Sequence, residues 1–433
     1  MGLAPFFQRT AVAAGEVLAG FDEATFRGAL EATHVGLSVD KTAAASAEGR
    51  ALAELTVRML SRLWAALDLR IDDSALGESL AALAIAINPN LELRVGARVG
   101  ISVGLDASTF ESTQFAGADG WDGLMSPTEK LSTGSSENPF GAGIAACLAV
   151  GEVFKRLLVA DWESRANTAV RLSAFDREKR QTSPGLPTAW KLRGDAVLVG
   201  AGAIGNAALW ALTRAPLRGS LHVIDGETVD LGNLQRYVLA RYDDIGRAKT
   251  DVAVEASAGG SLTVVPHAME WAEYAERCGQ RVNNALVAVD SSQARRSVQA
   301  SLPVWVANAW TQPGDLGVSI HGRFGSPGAC LYCLYLPSAA VPNEDALVAG
   351  ALGIPELVSD VRTLLYSGAP VPRAMLELIA TRLGRPAELV LAYEGRSARE
   401  LYVQGVCGGG VIPLGGAASG RPRELHVPLV HQS

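Results

Sequence analysis

The sequence predicts an α/β fold in two domains, and three observations support this prediction. Short apolar runs of strand length alternate with segments whose apolar residues recur at helical spacing. Hydrophobic residues make up 48% and charged residues 19% of the 433 residues, which is typical of a protein with a large core. One core rarely serves so long a chain, because domains usually have about 50 to 200 residues. Residues 176–189 are charged and then rich in Ser, Pro and Gly, so we predict a linker there between domains at 1–175 and 190–433.

The first half predicts helices and short strands. Apolar residues follow helical spacing from Ala24 to Leu69, with a strand-like interruption at residues 34–39. Two β-branched runs between residues 91 and 103 predict strands, and a Gly/Ser-rich loop follows them. Asn138-Pro139 predicts the start of a helix, because proline is tolerated in a first helical turn. This half contains no glycine-rich turn after a strand.

The second half predicts a strand, a glycine turn, a helix and a second strand. The strand is Ala196-Val197-Leu198-Val199, and the turn carries Gly200, Gly202 and Gly205 in a G-x-G-x-x-G pattern. Such a turn lets backbone amides approach phosphate and places the anion at the positive end of a helix dipole. Asp225 stands at the end of the next strand, where a carboxylate can bind ribose hydroxyls. These features predict a nucleotide site, which a nicotinamide-dependent dehydrogenase would share; the alternative is a tight packing turn.

Charge and cysteine usage exclude several function classes. The net charge of −7 argues against a nucleic acid as the main partner, because such binding depends on clustered Lys and Arg. Five cysteines are few for a chain of this length, and an odd number cannot all pair within one chain. A secreted disulfide framework is therefore disfavoured and a reducing compartment is favoured. The sequence has neither a secretory signal pattern nor an apolar run long enough to cross a membrane. We therefore expect a cytoplasmic protein without a membrane partner.

The residues from Asp225 to Arg236 distinguish this chain from the dehydrogenases that share such a glycine turn. They read Asp-Gly-Glu-Thr-Val-Asp-Leu-Gly-Asn-Leu-Gln-Arg, and residues 244–249 read Asp-Ile-Gly-Arg-Ala-Lys. Both segments resemble signatures of the ubiquitin-activating enzymes and of their bacterial ThiF- and MoeB-like relatives, which are adenylyltransferases, and Asp290 stands where that family places a metal-associated aspartate. The resemblance covers about residues 195–337. It implies a Rossmann-like adenylation domain that uses ATP to adenylate the C-terminal carboxylate of a ubiquitin-like protein.

This chemistry explains why the matching residues are needed together. A carboxylate that attacks the α-phosphate of ATP brings one anion to another, so cations and a fixed geometry are required. Arg236 and Lys249 suit that role, Asp290 would hold Mg²⁺, and Asn233 could position a phosphate or the incoming carboxylate. Each residue also has a structural alternative. Arg236 and Lys249 could be solvated surface charges, Asn233 a turn residue and Asp290 a helix N-cap.

The cysteines suggest a metal site and a second chemical step. Cys330 and Cys333 form a C-x-x-C, which can bind one face of a tetrahedral Zn²⁺, but no second C-x-x-C follows. The alternative is two loop thiols without metal. Cys407 precedes three glycines and resembles the family cysteine that lies near the adenylate, where a thiolate would form a thioester; the alternative is a buried thiol. A helical insertion at about 338–402 would carry a catalytic loop or a docking surface for a conjugating enzyme.

By the same resemblance, the first half is predicted to be a degenerate, inactive adenylation-like domain. It would complete the active site with an arginine, for which Arg9 is the candidate, and a homodimer is a further expectation. The alternative is an α/β domain that only binds a partner. The layout is most like stand-alone bacterial enzymes of antiphage conjugation operons, and the chain ends where relatives would begin a closing helix, which suggests truncation.

Three other functions stay open at this point. One is a sulfur-carrier or peptide adenylyltransferase without the thioester step. Another is a scaffold that binds ATP without turnover. The third is an NAD-dependent oxidoreductase, which residues 233–236 disfavour.

Overall fold

A computed structural model describes residues 2–17, 21–159, 166, 168–175, 190–192, 196–278, 282–312, 315–336 and 344–402. One compact unit comprises residues 1–311 and 315–336 and contains two β-sheets. A second unit comprises residues 312–314 and 337–433, of which the helical part from 344 to 402 is described. The predicted linker at 176–189 and Cys407 lie outside the described residues.

The first sheet has seven strands between residues 34 and 173. The strands are β1 His34–Val39, β2 Ala66–Ile71, β3 Glu92–Leu93, β4 Val99–Val103, β5 Ser112–Asp119, β6 Asp122–Ser126 and β7 Val170–Ser173. Their order is β3-β2-β1-β4-β5-β6-β7. Neighbouring strands from β3 to β5 are parallel, whereas β6 and β7 are antiparallel to their neighbours.

The helices of this half agree with the predicted alternation. They are α1 Phe7–Val17, α2 Glu23–Ala32, α3 Lys41–Ala45, α4 Ala47–Leu63, α5 Ser74–Ile87 and α6 Pro139–Leu158. The predicted start of α6 is confirmed, because the Asn138 side chain accepts a hydrogen bond from the Phe140 amide and proline occupies the first turn. The predicted strand at 34–39 is confirmed as β1.

The second sheet has six strands between residues 196 and 321. The strands are β8 Ala196–Val199, β9 Gly219–Ile224, β10 Leu262–His267, β11 Asn284–Val287, β12 Trp305–Gln312 and β13 Asp315–His321. The helices are α7 Ala203–Arg214, α8 Lys249–Ala256, α9 Trp271–Cys278, α10 Ser292–Ala300 and α11 Leu331–Leu334, with 3₁₀ turns at Leu231–Asn233 and Tyr242–Asp244. The order is β10-β9-β8-β11-β12-β13, and all neighbours from β10 to β12 are parallel.

The two sheets share one arrangement of their first five strands. In each, the first strand is central, the next two extend to one side and the following two extend to the other. The predicted α/β fold with a mostly parallel sheet is therefore confirmed.

Helices α4 and α6 contribute to the cores of both sheets. On α4, Leu52 and Leu60 belong to the core of the first sheet, whereas Leu55 belongs to the core of the second. A Cβ added at Gly143 of α6 would lie 2.9 Å from the Trp210 ring, so a small residue is required there. The first half thus packs directly on α7, the helix that follows the glycine turn.

The helical unit has its own core. Its helices are α12 Glu344–Ala351, α13 Val358–Ser367, α14 Arg373–Leu383, α15 Ala387–Leu391 and α16 Ala398–Glu400, with a 3₁₀ turn at Pro355–Leu357. Leu352, Ile354 and Leu376 are fully buried in this core. Helices α13 and α14 lie within the predicted insertion at about 338–402, and the assignment of these residues as an insertion in an adenylation domain stays a prediction. None of the helices in the described part of the chain combines the length and hydropathy that crossing a membrane requires.

Candidate nucleotide site

The strand order of the second sheet creates a crevice at the ends of β8 and β11. After β8 the chain continues to β9 and β10 on one side, and later returns to β11 on the other. Parallel sheets bind ligands at such a switch point, outside the carboxyl ends of the strands. Gly200 follows β8, and Ala288, Val289 and Asp290 follow β11. The sequence motifs therefore meet at the edge where a nucleotide is expected.

The three positions of the turn favour glycine for different physical reasons. Gly200 has a φ of +93°, and an added Cβ would lie 2.7 Å from the Ala288 carbonyl oxygen. A Cβ at Gly205 would lie 2.1 Å from the Gly200 carbonyl oxygen. A Cβ at Gly202 would meet only the Tyr237 hydroxyl, at 3.8 Å. Gly200 and Gly205 are thus needed to close the turn, whereas Gly202 leaves space beside the first residue of α7.

Asp225 holds the turn through both of its carboxylate oxygens. Oδ2 accepts a hydrogen bond from the Ala201 amide at 2.8 Å, and Oδ1 accepts one from the Glu227 amide at 2.9 Å. Burial raises the pKa of this carboxyl, while the charge of Lys249 and the two amide hydrogen bonds lower it. A carboxylate oxygen can accept a second hydrogen bond, so Asp225 stays available to a ribose.

Lys249 lies inside the site rather than on the surface. Its side chain is 5% exposed, its ammonium pairs with the Glu227 carboxylate, and it lies 4.0 Å from Asp225 Oδ1. Nζ is also 5.2 Å from the centre of the Tyr237 ring. Burial alone would lower the lysine pKa, but Asp225, Tyr237 and Glu227 together raise it above its ordinary value. The site therefore contains a permanent buried cation.

Asn233 and Arg236 lie in the turn that follows. Asn233 Oδ1 accepts from the Asp230 amide at 3.1 Å, and Asp230 Oδ1 accepts from the Asn233 amide at 2.9 Å. This reciprocal capping gives Asn233 the turn role; its predicted ligand role stays a prediction. Arg236 is partly buried, donates from Nη1 to the Gly232 carbonyl at 3.1 Å, and has its guanidinium 5.3 Å from the Tyr237 ring centre.

Asp290 presents an exposed side chain after β11. The cap of α10 is Ser291, whose hydroxyl accepts from the Ala294 amide at 3.0 Å, so Asp290 does not serve as the N-cap. Arg295 fixes this loop by donating from Nη1 to the Asp290 carbonyl oxygen at 3.2 Å. The exposed Asp290 carboxylate, which follows β11 near the glycine turn, fits Mg²⁺, because this ion is commonly bound by one or two carboxylates together with substrate phosphates.

Two polar residues that the sequence motifs did not indicate connect the parts of the site. Asn206 is 4% exposed, and its amide nitrogen donates to the carbonyl oxygens of Ala201 at 2.7 Å and Gly202 at 3.1 Å. Its Oδ1 accepts from the Leu239 amide at 3.2 Å. Tyr237 is 4% exposed and stands between Gly202 and Lys249. Asn206 directly follows the last glycine of the motif, a position that could have drawn attention to it.

The predicted metal and thioester residues are less fully described. The sulfur atoms of Cys330 and Cys333 are 3.5 Å apart at the start of α11. Within the described ranges, no group of three or more His, Cys, Asp or Glu side chains could hold a metal ion. The zinc site and the role of Cys407 therefore stay predictions. Arg9 lies in α1 with a partly buried side chain, and its predicted role at the site also stays a prediction.

Comparison with known families gives one match in each half of the chain. Residues 191–352 match the sequence model of the ThiF family. Residues 38–159 match the model described as Prokaryotic E2 family C. This second match differs from the prediction of an inactive adenylation copy at 1–175, which stays a prediction.

Curated relatives match the whole chain or the second half. The uncharacterized protein y4jF of Sinorhizobium fredii is 39% identical over 444 aligned residues, which cover 100% of this chain and 85% of that protein. Human ubiquitin-like modifier-activating enzyme 7 is 36% identical over 115 residues, covering 24% of this chain and 11% of the enzyme. The adenylyltransferase and sulfurtransferase uba4 of Aspergillus terreus is 47% identical over 72 residues, covering 16% of this chain and 15% of the enzyme. The chain thus spans only a small part of these two enzymes.

Solved structures include more distant likenesses. Escherichia coli MccB with MccA-N7isoASN has a TM-score of 0.28 at 16% identity, covering 43% of this chain and 56% of that chain. PaaA has a TM-score of 0.26 at 19% identity, covering 44% of this chain and 56% of that chain.

Proposed function

Because this chain belongs to the ThiF/E1-like superfamily of adenylyltransferases, we propose that it uses ATP to adenylate the C-terminal carboxylate of a ubiquitin-like protein. The observation that carries the proposal is the buried Lys249 ammonium beside the glycine turn, 4.0 Å from Asp225. A dehydrogenase has no need of a fixed cation there, whereas displacement at a triphosphate does.

The reaction is a displacement at the α-phosphorus of ATP. The substrate carboxylate is already ionised at neutral pH, so no general base is required. One carboxylate oxygen forms a bond with the α-phosphorus. At the same time the bond breaks between the α-phosphorus and the oxygen that bridges it to the β-phosphorus. Pyrophosphate leaves with the bridging oxygen and the electron pair. Mg²⁺ held at Asp290 would neutralise part of the triphosphate charge.

The protein groups bind and orient the nucleotide. The backbone amides at Gly202 and the dipole of the twelve-residue helix α7 attract phosphate oxygens, and Gly202 provides the space for their approach. Arg236 can bind phosphate oxygens in a bidentate manner. The Glu227 side chain is 69% exposed, so Lys249 can exchange that carboxylate for a phosphate oxygen while keeping its interaction with Asp225.

A second step is part of the proposal. The Cys407 thiolate would attack the acyl carbon of the adenylate, AMP would leave, and the resulting thioester would pass to a conjugating enzyme. This step rests on the resemblance around Cys407 alone. A peptide or sulfur-carrier adenylyltransferase would perform only the first step, and the match to the Aspergillus adenylyltransferase and sulfurtransferase favours keeping it as the second candidate.

The first half is proposed to be an inactive adenylation-like domain. The strand order that its sheet shares with the second sheet supports this, as does the lack of a glycine turn after β1. The proposal has five further parts, each of which rests on the sequence or on the resemblance. They are a contribution of Arg9 to the site, a homodimer, a cytoplasmic setting, Zn²⁺ at Cys330 and Cys333, and a role in antiviral defence.

Exchange of labelled pyrophosphate into ATP tests the first step. We expect exchange only when a ubiquitin-like protein with an exposed C-terminal glycine is present. Asp290→Ala should reduce exchange by about a hundredfold and raise the Mg²⁺ requirement, because a charge-stabilising group is lost. Asp243→Ala is the matched control, since Asp243 is equally an exposed aspartate on the same sheet's loops. Full activity of Asp290→Ala would contradict the Mg²⁺ assignment, and NADH formation in place of exchange would contradict the function.

A further inference from the structure

Helix α4 of the first half carries a buried arginine that contacts the second half. Arg62 is 5% exposed, and it donates to the carbonyl oxygens of Leu234 at 2.9 Å, Tyr237 at 2.7 Å and Ala240 at 2.6 Å, as well as to that of Arg58. Among the residues that the structure describes, no carboxylate pairs with it. Burial and the charge of Arg58 lower its pKa to about 9, so it stays a cation at neutral pH. Backbone carbonyls alone thus compensate a buried charge.

Arg58 extends this contact by one helical turn. Its Nη1 donates to the carbonyl oxygens of Val238 at 2.9 Å and Leu239 at 3.3 Å, while its Nε pairs with Glu54 on the same helix at 2.7 Å. Together the two arginines bind five of the seven carbonyl groups of residues 234–240. That segment has no helix or strand of its own, so the arginines supply donors that regular secondary structure would otherwise supply; the Tyr237 carbonyl also accepts from the Ala240 amide at 3.0 Å.

The same segment is fixed to the glycine turn on its other side. The Leu239 amide donates to Asn206, which in turn donates to the carbonyls of Ala201 and Gly202. Arg236 and Tyr237 lie within the segment, and the Tyr237 ring stands beside Lys249. A continuous series of hydrogen bonds therefore connects α4 to the glycine turn.

We propose that Arg62 and Arg58 are positioning residues, which hold residues 234–240 so that Arg236 and Tyr237 face the nucleotide. Helix α4 of the first half thereby maintains the nucleotide site of the second half. This inference rests on the proposed function for its ligand, ATP, whereas the arrangement of the segment can be measured without any ligand.

Hydrogen exchange of the full-length protein tests the arrangement. Arg62→Met removes the donors but keeps most of the volume, and Arg62→Lys keeps the charge. We expect the amides of Arg236, Tyr237, Leu239 and Ala240 to exchange at least about tenfold faster in Arg62→Met, because their shared segment loses its carbonyl partners. Arg62→Lys should restore part of the protection.

Arg214→Met is the matched control. Arg214 joins α7 to Glu54 of the same helix α4, with its Nε donating to the Glu54 carboxylate at 2.7 Å, and its Nη1 donates to the Trp210 carbonyl, outside residues 234–240. It should leave exchange in that segment unchanged. Unchanged exchange in Arg62→Met would overturn the proposal, as would equal acceleration in Arg214→Met. If Arg62→Met does not fold, Arg58→Met decides instead, because it removes two of the five contacts and should accelerate the Leu239 and Ala240 amides.

Nucleotide binding separates this inference from the proposed function. Arg62→Met should bind ATP about tenfold more weakly, equivalent to ~1.4 kcal/mol, with a matching rise in KM and a smaller change in kcat. Arg214→Met should bind ATP as the parent protein does. Equal ATP affinity in Arg62→Met would refute the positioning role. Failure of the parent protein to bind ATP would refute the proposed function, while the exchange measurement would still decide whether α4 holds the segment.

Discussion

Alanine substitutions in the glycine turn separate residues that fold the turn from the one that admits phosphate. At Gly205 an added methyl would lie 2.1 Å from the Gly200 carbonyl oxygen, so the turn must move by about 1 Å or more to restore van der Waals contact. Such overpacking costs ~1–3 kcal/mol, which the better helix propensity of alanine offsets by ~1 kcal/mol. At Gly200 the left-handed backbone, with a φ of +93°, adds roughly 1–2 kcal/mol.

Gly202 should behave differently. Its Cβ would meet only the Tyr237 hydroxyl at 3.8 Å, and its backbone φ of −70° is ordinary for alanine. We expect Gly202→Ala to lower the free energy of unfolding by about 1 kcal/mol, because alanine is a poorer N-cap than glycine but meets no steric obstacle here. Its methyl group would nevertheless occupy the space through which phosphate approaches the amides, so ATP should bind at least about tenfold more weakly.

Urea unfolding and calorimetric titration with ATP measure the two effects. Gly151→Ala in the middle of α6 is the control, because nothing lies within 4 Å of its added Cβ and it should gain up to about 1 kcal/mol of stability. Parental ATP affinity in Gly202→Ala would show that phosphate does not approach there. Parental stability in Gly200→Ala would show that the turn is not closed as described.

The other predictions concern the charged and cysteine residues. Lys249→Met should abolish measurable ATP binding. It should also raise the pKa of the buried Asp225 carboxyl further, because that carboxyl loses its cation. NMR titration of the carboxyl measures this, and an unchanged pKa would contradict the ion pair. Burial and the charge of His222, whose Nδ1 lies 2.9 Å from Nε2 of His267, lower the pKa of His267 below its ordinary 6.5. The unfolded chain therefore binds more protons below pH ~6.5, so stability should fall as pH decreases from there, and His267→Gln should flatten that slope in urea titrations at pH 5 to 7. If Cys407 is the nucleophile, Cys407→Ala should retain pyrophosphate exchange but lose the thiol-sensitive adduct with the ubiquitin-like protein on non-reducing gels; a persistent adduct would identify another cysteine.

Local sequence determined the strands, the glycine turn and the cation next to it. The turn depends on contacts between residues close in sequence, such as Gly200 with Gly205, and on the alternation of a strand and a helix that places them. Asp225 and Lys249 were identifiable because they lie in short, ordered motifs that follow the turn at fixed intervals. Spacing of this kind is preserved in the fold because parallel strands end at a common edge.

Tertiary structure alone decided how that site is held. Arg62 and its carbonyl partner Leu234 are 172 positions apart, and Arg58 and Val238 are 180 positions apart, so no local pattern connects them. Within α4 the two arginines follow the spacing of any solvated helix face, and their burial arises only when α4 packs between two sheets. Asn233 likewise has a side chain that the sequence predicts to be a ligand, whereas in the fold its Oδ1 accepts from the Asp230 amide at 3.1 Å and so caps its own turn. A sequence motif shows which groups are near one another along the chain. The donors for the carbonyls of residues 234–240 come from a distant helix, and only tertiary packing brings them there.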